Sequence, residues 1–153
     1  MPPKTDPQRD NLYWMEAEFN GWWGLARSPR SALEGFAIAV CKYYKVDPPR
    51  IIISRKPSKH DGDYLHGEVT LYIGKGDNPG VLVHELAHHV VDELYADVEH
   101  HGPEFMAIYM HLLDKWRILP HEEFRRLARK YKLRIGRRYR PAAFRGRTKT
   151  GTR

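Results

Sequence analysis

The chain has one cysteine in 153 residues, Cys41. No intramolecular disulfide framework can form, and zinc ribbons or knuckles, which need at least two thiolates, are excluded. A reducing, cytoplasmic compartment is the expected setting. No apolar run approaches the roughly 18 residues of a membrane span, and Met1-Pro2-Pro3-Lys4 begins no signal-peptide pattern. A membrane is therefore not among the expected partners. No internal repeat is present. Acidic residues are missing from Arg125 to Arg153, where 13 Lys and Arg fall. Residues 1–124 hold the other 13 basic residues against all 19 acidic ones, so a mildly acidic body carries a strongly basic end within the formal +7. The length suits one domain with a sizeable core.

What is present divides readily. Residues 1–11, with three prolines and alternating charge, read as a flexible lead-in. Tyr13, Trp14, Phe19, Trp22 and Trp23 suggest a helical turn or two covering the core. Ser31 can cap a helix to about Tyr44, because Leu33, Phe36, Ala37, Val40 and Cys41 recur at steps of three and four. Val46-Asp47-Pro48-Pro49 stops it. Arg50 to Ser54, with three isoleucines, reads as a buried strand, Lys56 to Asp63 as polar turn, and His66 to Gly74 as a second, alternating strand. Asn78-Pro79 caps a strongly apolar helix to about Tyr95. Gly102-Pro103-Glu104 opens another, and Pro120 a third, charged one to about Tyr131. The expected fold is a single α+β domain over residues 12–131, with residues 132–153 as a basic tail.

Chemistry concentrates in the apolar helix as His84-Glu85-Leu86-Ala87-His88. Histidines four apart share one helix face, about one turn apart, and both imidazoles can reach a single Zn²⁺. Glu85 adjoins the first ligand, where a carboxylate can take a proton from water activated at the metal. Chance matches are easier here than elsewhere, since five of the nine histidines lie between positions 84 and 101. Yet His and Glu among buried Val and Leu are costly without a partner, and a metal removes that cost. The third ligand must come from outside the motif, because Val91 and Leu94 stand where the metzincin spacing needs Gly and His. His101 is the favoured candidate, where a loop turns into the next helix, with His100 its competitor. Asp92 and Glu104 are read as supporting carboxylates rather than ligands. Tyr109 is read as a core aromatic that can alternatively lend its phenol to an oxyanion. His89 points around the helix and reads as a surface group.

His84-Glu85-Leu86-Ala87-His88-His89, followed by His101-Gly102-Pro103-Glu104-Phe105, resembles the SprT-like, Spartan-related zinc metallopeptidases, including small phage and bacterial forms. The resemblance spans about Val69 to Trp116. It implies a compact zincin-like domain with His84, His88 and His101 on zinc, Glu85 as base, and a protein or peptide substrate. Larger members of the family cleave proteins on DNA. Several relatives carry a C-terminal Cys-rich zinc module, and this chain has a basic segment instead.

That segment includes Arg134, Arg137, Arg138, Arg140, Arg145 and Arg147, interleaved with Tyr131, Tyr139 and Phe144. Such a composition neutralises phosphates by counterion release and can stack on exposed bases, so nucleic acid is an expected partner. A solvated tail, or one bound to an acidic assembly partner, is the competing reading. The leading function is zinc-dependent peptide hydrolysis near nucleic acid. The alternative is a non-catalytic nucleic-acid-binding or virion assembly protein whose metal is structural or vestigial. For a peptidase, the strand at His66 to Gly74 is expected at the sheet edge, where an extended substrate can pair with it.

Overall fold

The structure is a computed structural model that describes residues 5–23 and 26–139. Among these residues the elements run α1 (Arg9–Trp23), α2 (Arg30–Tyr44), β1 (Arg50–Ser54), β2 (Gly62–Leu65), β3 (Glu68–Tyr72), α3 (Pro79–Leu94), α4 (Pro103–Lys115) and α5 (His121–Lys130). The fold is α+β, with helices packed around a small mixed sheet of order β1-β3-β2. β1 runs parallel to β3, and β2 antiparallel to it. No helix among the described residues is long and apolar enough to cross a membrane.

α3 lies at the centre, against α4, α2, β2 and β3. Its start is set by Asn78, whose side chain accepts the Val81 N–H at 3.0 Å, and by Pro79, which needs no N–H partner at the first helical position. Ten of its sixteen residues are buried, so the polar side chains among them, His84, Glu85 and His89, must find partners inside. α4 is buried as thoroughly, from Phe105 to Leu113. α5 is one-sided, burying Phe124, Leu127 and Ala128 beneath charged residues.

Several expectations give way. The strand read at His66 to Gly74 is not an edge. Its regular part, β3, is central and paired on both sides. The edge beside it is β2, whose first two residues, Gly62 and Asp63, were read as turn; His66 and Gly67 both adopt left-handed conformations (φ 45° and 79°) and close a two-residue hairpin. The aromatic segment is a 15-residue helix rather than a turn or two. Leu12, Met15 and Phe19 line its buried face, and it starts at Arg9, inside the segment read as lead-in. Asp6 and Gln8 also make tertiary hydrogen bonds. At the other end Leu133 is buried, and Ile135 and Tyr139 pack on the core, so residues 133–139 lie against the body.

Candidate metal centre

α3 presents His84 and His88 one turn apart, and the loop before α4 brings His101 to them. The three can offer one ligand atom each within 4.8 Å of one another, as no other group of three or more His, Cys, Asp or Glu does among the described residues. His101 Nε2 lies 3.1 Å from His88 Nε2 and 3.4 Å from His84 Nε2. Tetrahedral zinc with N–metal bonds of about 2.0–2.1 Å requires adjacent nitrogens about 3.3 Å apart. Phe105 forms an apolar floor, its ring centroid 5.2, 4.5 and 5.0 Å from those of His84, His88 and His101.

The far sides of two imidazoles are fixed by carboxylates. His84 Nδ1–H donates to Glu16 Oε2 at 2.5 Å, and His101 Nδ1–H to Asp6 Oδ2 at 2.8 Å. These bonds select the tautomer whose Nε2 lone pair faces inward, and they raise the basicity of the ring. The Nε2 atoms then converge at 3.1–3.4 Å, a spacing that a shared proton or a cation can bridge. The surroundings favour positive charge there. Asp6, Glu16 and Glu85 crowd three neutral-capable rings, and Asp6 Oδ1 is buried without a hydrogen-bond partner. A divalent ion compensates that charge, so donor type, spacing and electrostatics all fit zinc.

Proton affinities follow. Burial opposes a charge on His84, but Glu16 and Glu85 outweigh it and push the ring up to about 9. Burial, then His84 and His101, hold His88 well below the ordinary imidazole range. Burial and His84 also lower His101, against the pull of Asp6. Burial raises Glu85 to about 7 despite His84. For Glu16 burial acts upward as well, yet the hydrogen-bonded His84 and Tyr109 bring it below its usual value.

The site opens into a cleft of about 320 Å³ lined by Tyr13, Lys59, His60, Gly62, His84 and Glu85. It continues past Tyr64 and His88 toward His100. Gly62 makes the approach of β2 to α3 possible. A Cβ there would stand 2.9 Å from Val81 Cγ1 and 3.2 Å from Glu85 Oε2.

Of the other residues singled out in the sequence, His100 is exposed and sits outside the cluster, its ring 6.2 Å from that of His88. Asp92 accepts the Tyr64 hydroxyl proton at 2.9 Å, and the Tyr64 ring stacks over His88, which makes it a support one group removed. Glu104 lies in the first turn of α4, outside the cluster. Tyr109 is the core aromatic it was read as: it is buried, and its hydroxyl donates to Glu16 Oε2 at 2.6 Å. His89 is buried rather than on the surface, donating to the Asp47 carbonyl at 2.6 Å. Arg137 and Arg138 are exposed, and Arg134 also contacts Glu99, while Arg140, Arg145 and Arg147 lie outside the described residues.

Sequence reasoning missed Asp6, Glu16 and Tyr13. Glu16 left a trace, a carboxylate beside the apolar stripe of Leu12, Met15 and Phe19. Tyr13 is half exposed, its ring 5.7 Å from His101 and 6.4 Å from His84. Compared with family models, with curated proteins and with solved structures, the chain matches none.

Proposed function

We propose that the protein is a zinc-dependent peptidase of zincin-like architecture. The reading is carried by the convergence of three Nε2 atoms, two with their Nδ1 partners fixed, beside a carboxylate that faces an open cleft. The resemblance of the two motifs to SprT-like metallopeptidases supports it. Bound zinc would supply a Lewis acid and lower the pKa of water toward about 7.

The chain's own residues would do the rest. Glu85, buried beside His84 and lining the cleft, is placed to accept a proton from the attacking water and return one to the leaving amine. Gly62 leaves room for its carboxylate, since a Cβ there would stand 3.2 Å from Glu85 Oε2. The backbone of β2, the edge strand, lies along the cleft beside His84, Glu85 and His88, so an extended peptide can pair with it without demanding particular side chains. Tyr13, half exposed at the cleft, is the phenol suited to meet charge developing on the scissile carbonyl. Nucleic acid is a second partner on this reading, drawn by the basic C-terminal residues, which would gather substrate proteins near the cleft.

The test is metal content and hydrolysis of an unfolded protein by three chains. The parent should hold about one zinc and cleave. Glu85→Gln should hold the zinc and lose about 10²–10⁴-fold in kcat, the usual worth of a general base. A chain with His84→Ala and His88→Ala should lose both metal and cleavage. Full activity in Glu85→Gln, or full metal in the double variant, would sink the reading.

A further inference from the structure

His101, unlike His84 and His88, is not on a helix. It sits at the end of the link between α3 and α4, where Asp97 adopts a left-handed conformation (φ 54°), and its backbone is outside any regular hydrogen-bond ladder. Something else must hold it. The contacts of this loop come from the two ends of the described chain. From the N-terminal side, Asp6 accepts the His101 Nδ1–H, Gln8 Nε2 donates to the His101 carbonyl at 2.8 Å, and the Thr5 hydroxyl donates to Glu99 at 3.3 Å. From the C-terminal side, Gly136 N–H donates to the Pro103 carbonyl at 2.8 Å, and the Arg134 guanidinium reaches Glu99 at 3.4 Å. The two sides are tied together at Gln8, which is buried. Its Oε1 accepts the Arg134 N–H at 2.5 Å, and its Nε2 also approaches the Arg134 carbonyl at 3.3 Å.

We infer that residues 5–8 and 134–136 form a latch on the ligand loop, with Asp6 the positioning residue that aims His101, so that metal retention depends on both of these segments. The inference rests on the metal reading above and deepens it. Asp6 acts through His101 and touches neither metal nor substrate. Its effect is to fix the ring's rotation and tautomer. Gln8 fixes the height of the loop, since a side-chain amide that donates to His101 and accepts from Arg134 leaves neither segment free to slide. Gly136 sets the closeness of the C-terminal arm. A Cβ at that position would come within 2.8 Å of the Pro103 carbonyl oxygen and 3.0 Å of its carbon, both backbone atoms that cannot step aside. Lengthening this contact should loosen the loop from a point that has no contact with any imidazole.

The experiment measures zinc affinity by chelator competition, together with the visible absorption of the Co²⁺-substituted protein, for the parent, Asp6→Ala, Asp6→Asn, Gly136→Ala and Gly35→Ala. Loss of an outer carboxylate on a ligating histidine weakens metal binding by about 10- to 100-fold, and Asp6→Ala should fall in that range. Asp6→Asn keeps an oxygen that accepts from Nδ1–H and should recover part of the loss, which a merely structural role would not produce. Gly136→Ala should lose affinity in the same direction, with a weakened tetrahedral Co²⁺ band. Gly35→Ala, where a Cβ meets nothing within 4 Å, should match the parent. A parent that binds zinc while Asp6→Ala and Gly136→Ala bind it equally well overturns the latch and leaves the metal reading standing. A parent that binds no zinc overturns both.

Discussion

Tyr13 and Tyr109 both lie beside His84, with ring centroids 6.4 and 5.5 Å away, and their environments separate their roles. The Tyr109 hydroxyl is spent on Glu16 inside the core, whereas Tyr13 lines the cleft. Tyr13→Phe should therefore lower kcat with little change in KM, zinc content or melting temperature. Tyr109→Phe should leave a buried Glu16 oxygen short of a donor, cost about 1–3 kcal/mol of stability and weaken zinc binding. Steady-state kinetics beside thermal melts of the zinc-loaded proteins test the pair, and the opposite assignment of effects would refute it. A second histidine carries a different consequence. His111 on α4 is buried, its Nδ1 paired with the Tyr44 hydroxyl. Burial lowers its pKa to about 4, with Arg138, Lys115 and His121 acting in the same direction and Asp114 against them. The Tyr43 ring packs on it as well. In the unfolded chain the ring takes its proton near pH 6.5, so stability from this group is whole above 6.5 and is lost as pH falls toward 4. His111→Gln should flatten the pH dependence of unfolding in that window by up to one proton, read from denaturant midpoints of zinc-loaded protein at each pH. Equal slopes in the two chains would remove the assignment. What was legible at this scale is local in the chain: His84, Glu85 and His88 share one helix turn. Asp6 was not legible, because it meets His101 across 95 residues and sits in a stretch without periodicity.

Elements with a helical period were readable to within a few residues, since α2, α3, α4 and α5 each keep an apolar face. Ser31, read as the cap of α2, instead lies inside it, and the N-cap is Pro29 with no side-chain hydrogen bond. The sheet was read less well. β2 has four residues, Gly62-Asp63-Tyr64-Leu65, with no run of β-branched side chains, and its place at the edge is a matter of pairing rather than propensity. The informative feature was the turn. His66-Gly67 between Leu65 and Glu68 is a two-residue loop of the kind that favours a left-handed residue followed by Gly. The hairpin should respond accordingly. Gly67→Ala puts a Cβ on a residue at φ 79° and should destabilise the protein by about 1–2 kcal/mol. The same change at Gly35, inside α2 and in open space, should stabilise it by about 0.5–1 kcal/mol. Chemical denaturation of the two variants reads opposite signs for one chemical change. A stabilising Gly67→Ala would mean that β2 and β3 are not joined by this turn, and the substrate-pairing edge would move with it.

At the scale of the whole molecule, the described part of the basic C-terminal stretch has tertiary contacts of its own. Residues 133–139 are part of the body: Leu133 is buried, Arg134 is bonded to Gln8, and Gly136 to Pro103. Residues 140–153 add five Lys and Arg with no acidic residue. Composition alone gave no sign of these contacts, because Arg134 sits in a stretch rich in Arg, Gly and Lys without a helical apolar period. Two truncations should have different outcomes. Ending the chain after Tyr139 should keep fold and zinc affinity, since no described contact of the metal centre is lost. If the removed residues meet phosphates, affinity for single- or double-stranded nucleic acid should fall. Its salt dependence should also flatten by at most about 4–5 units of log K per log salt, close to one per lost charge. Ending it after Tyr131 should instead lower stability, through exposure of the surface that Leu133 and Ile135 cover, and should weaken zinc binding through the loss of Arg134 and Gly136 from the His101 loop. Cleavage of a free peptide separates the cases further: it should survive the first truncation and fall with metal in the second. Identical nucleic-acid affinity and salt slope before and after the first truncation would take nucleic acid out of the proposal. Identical zinc affinity after the second would detach the C-terminal arm from the metal site.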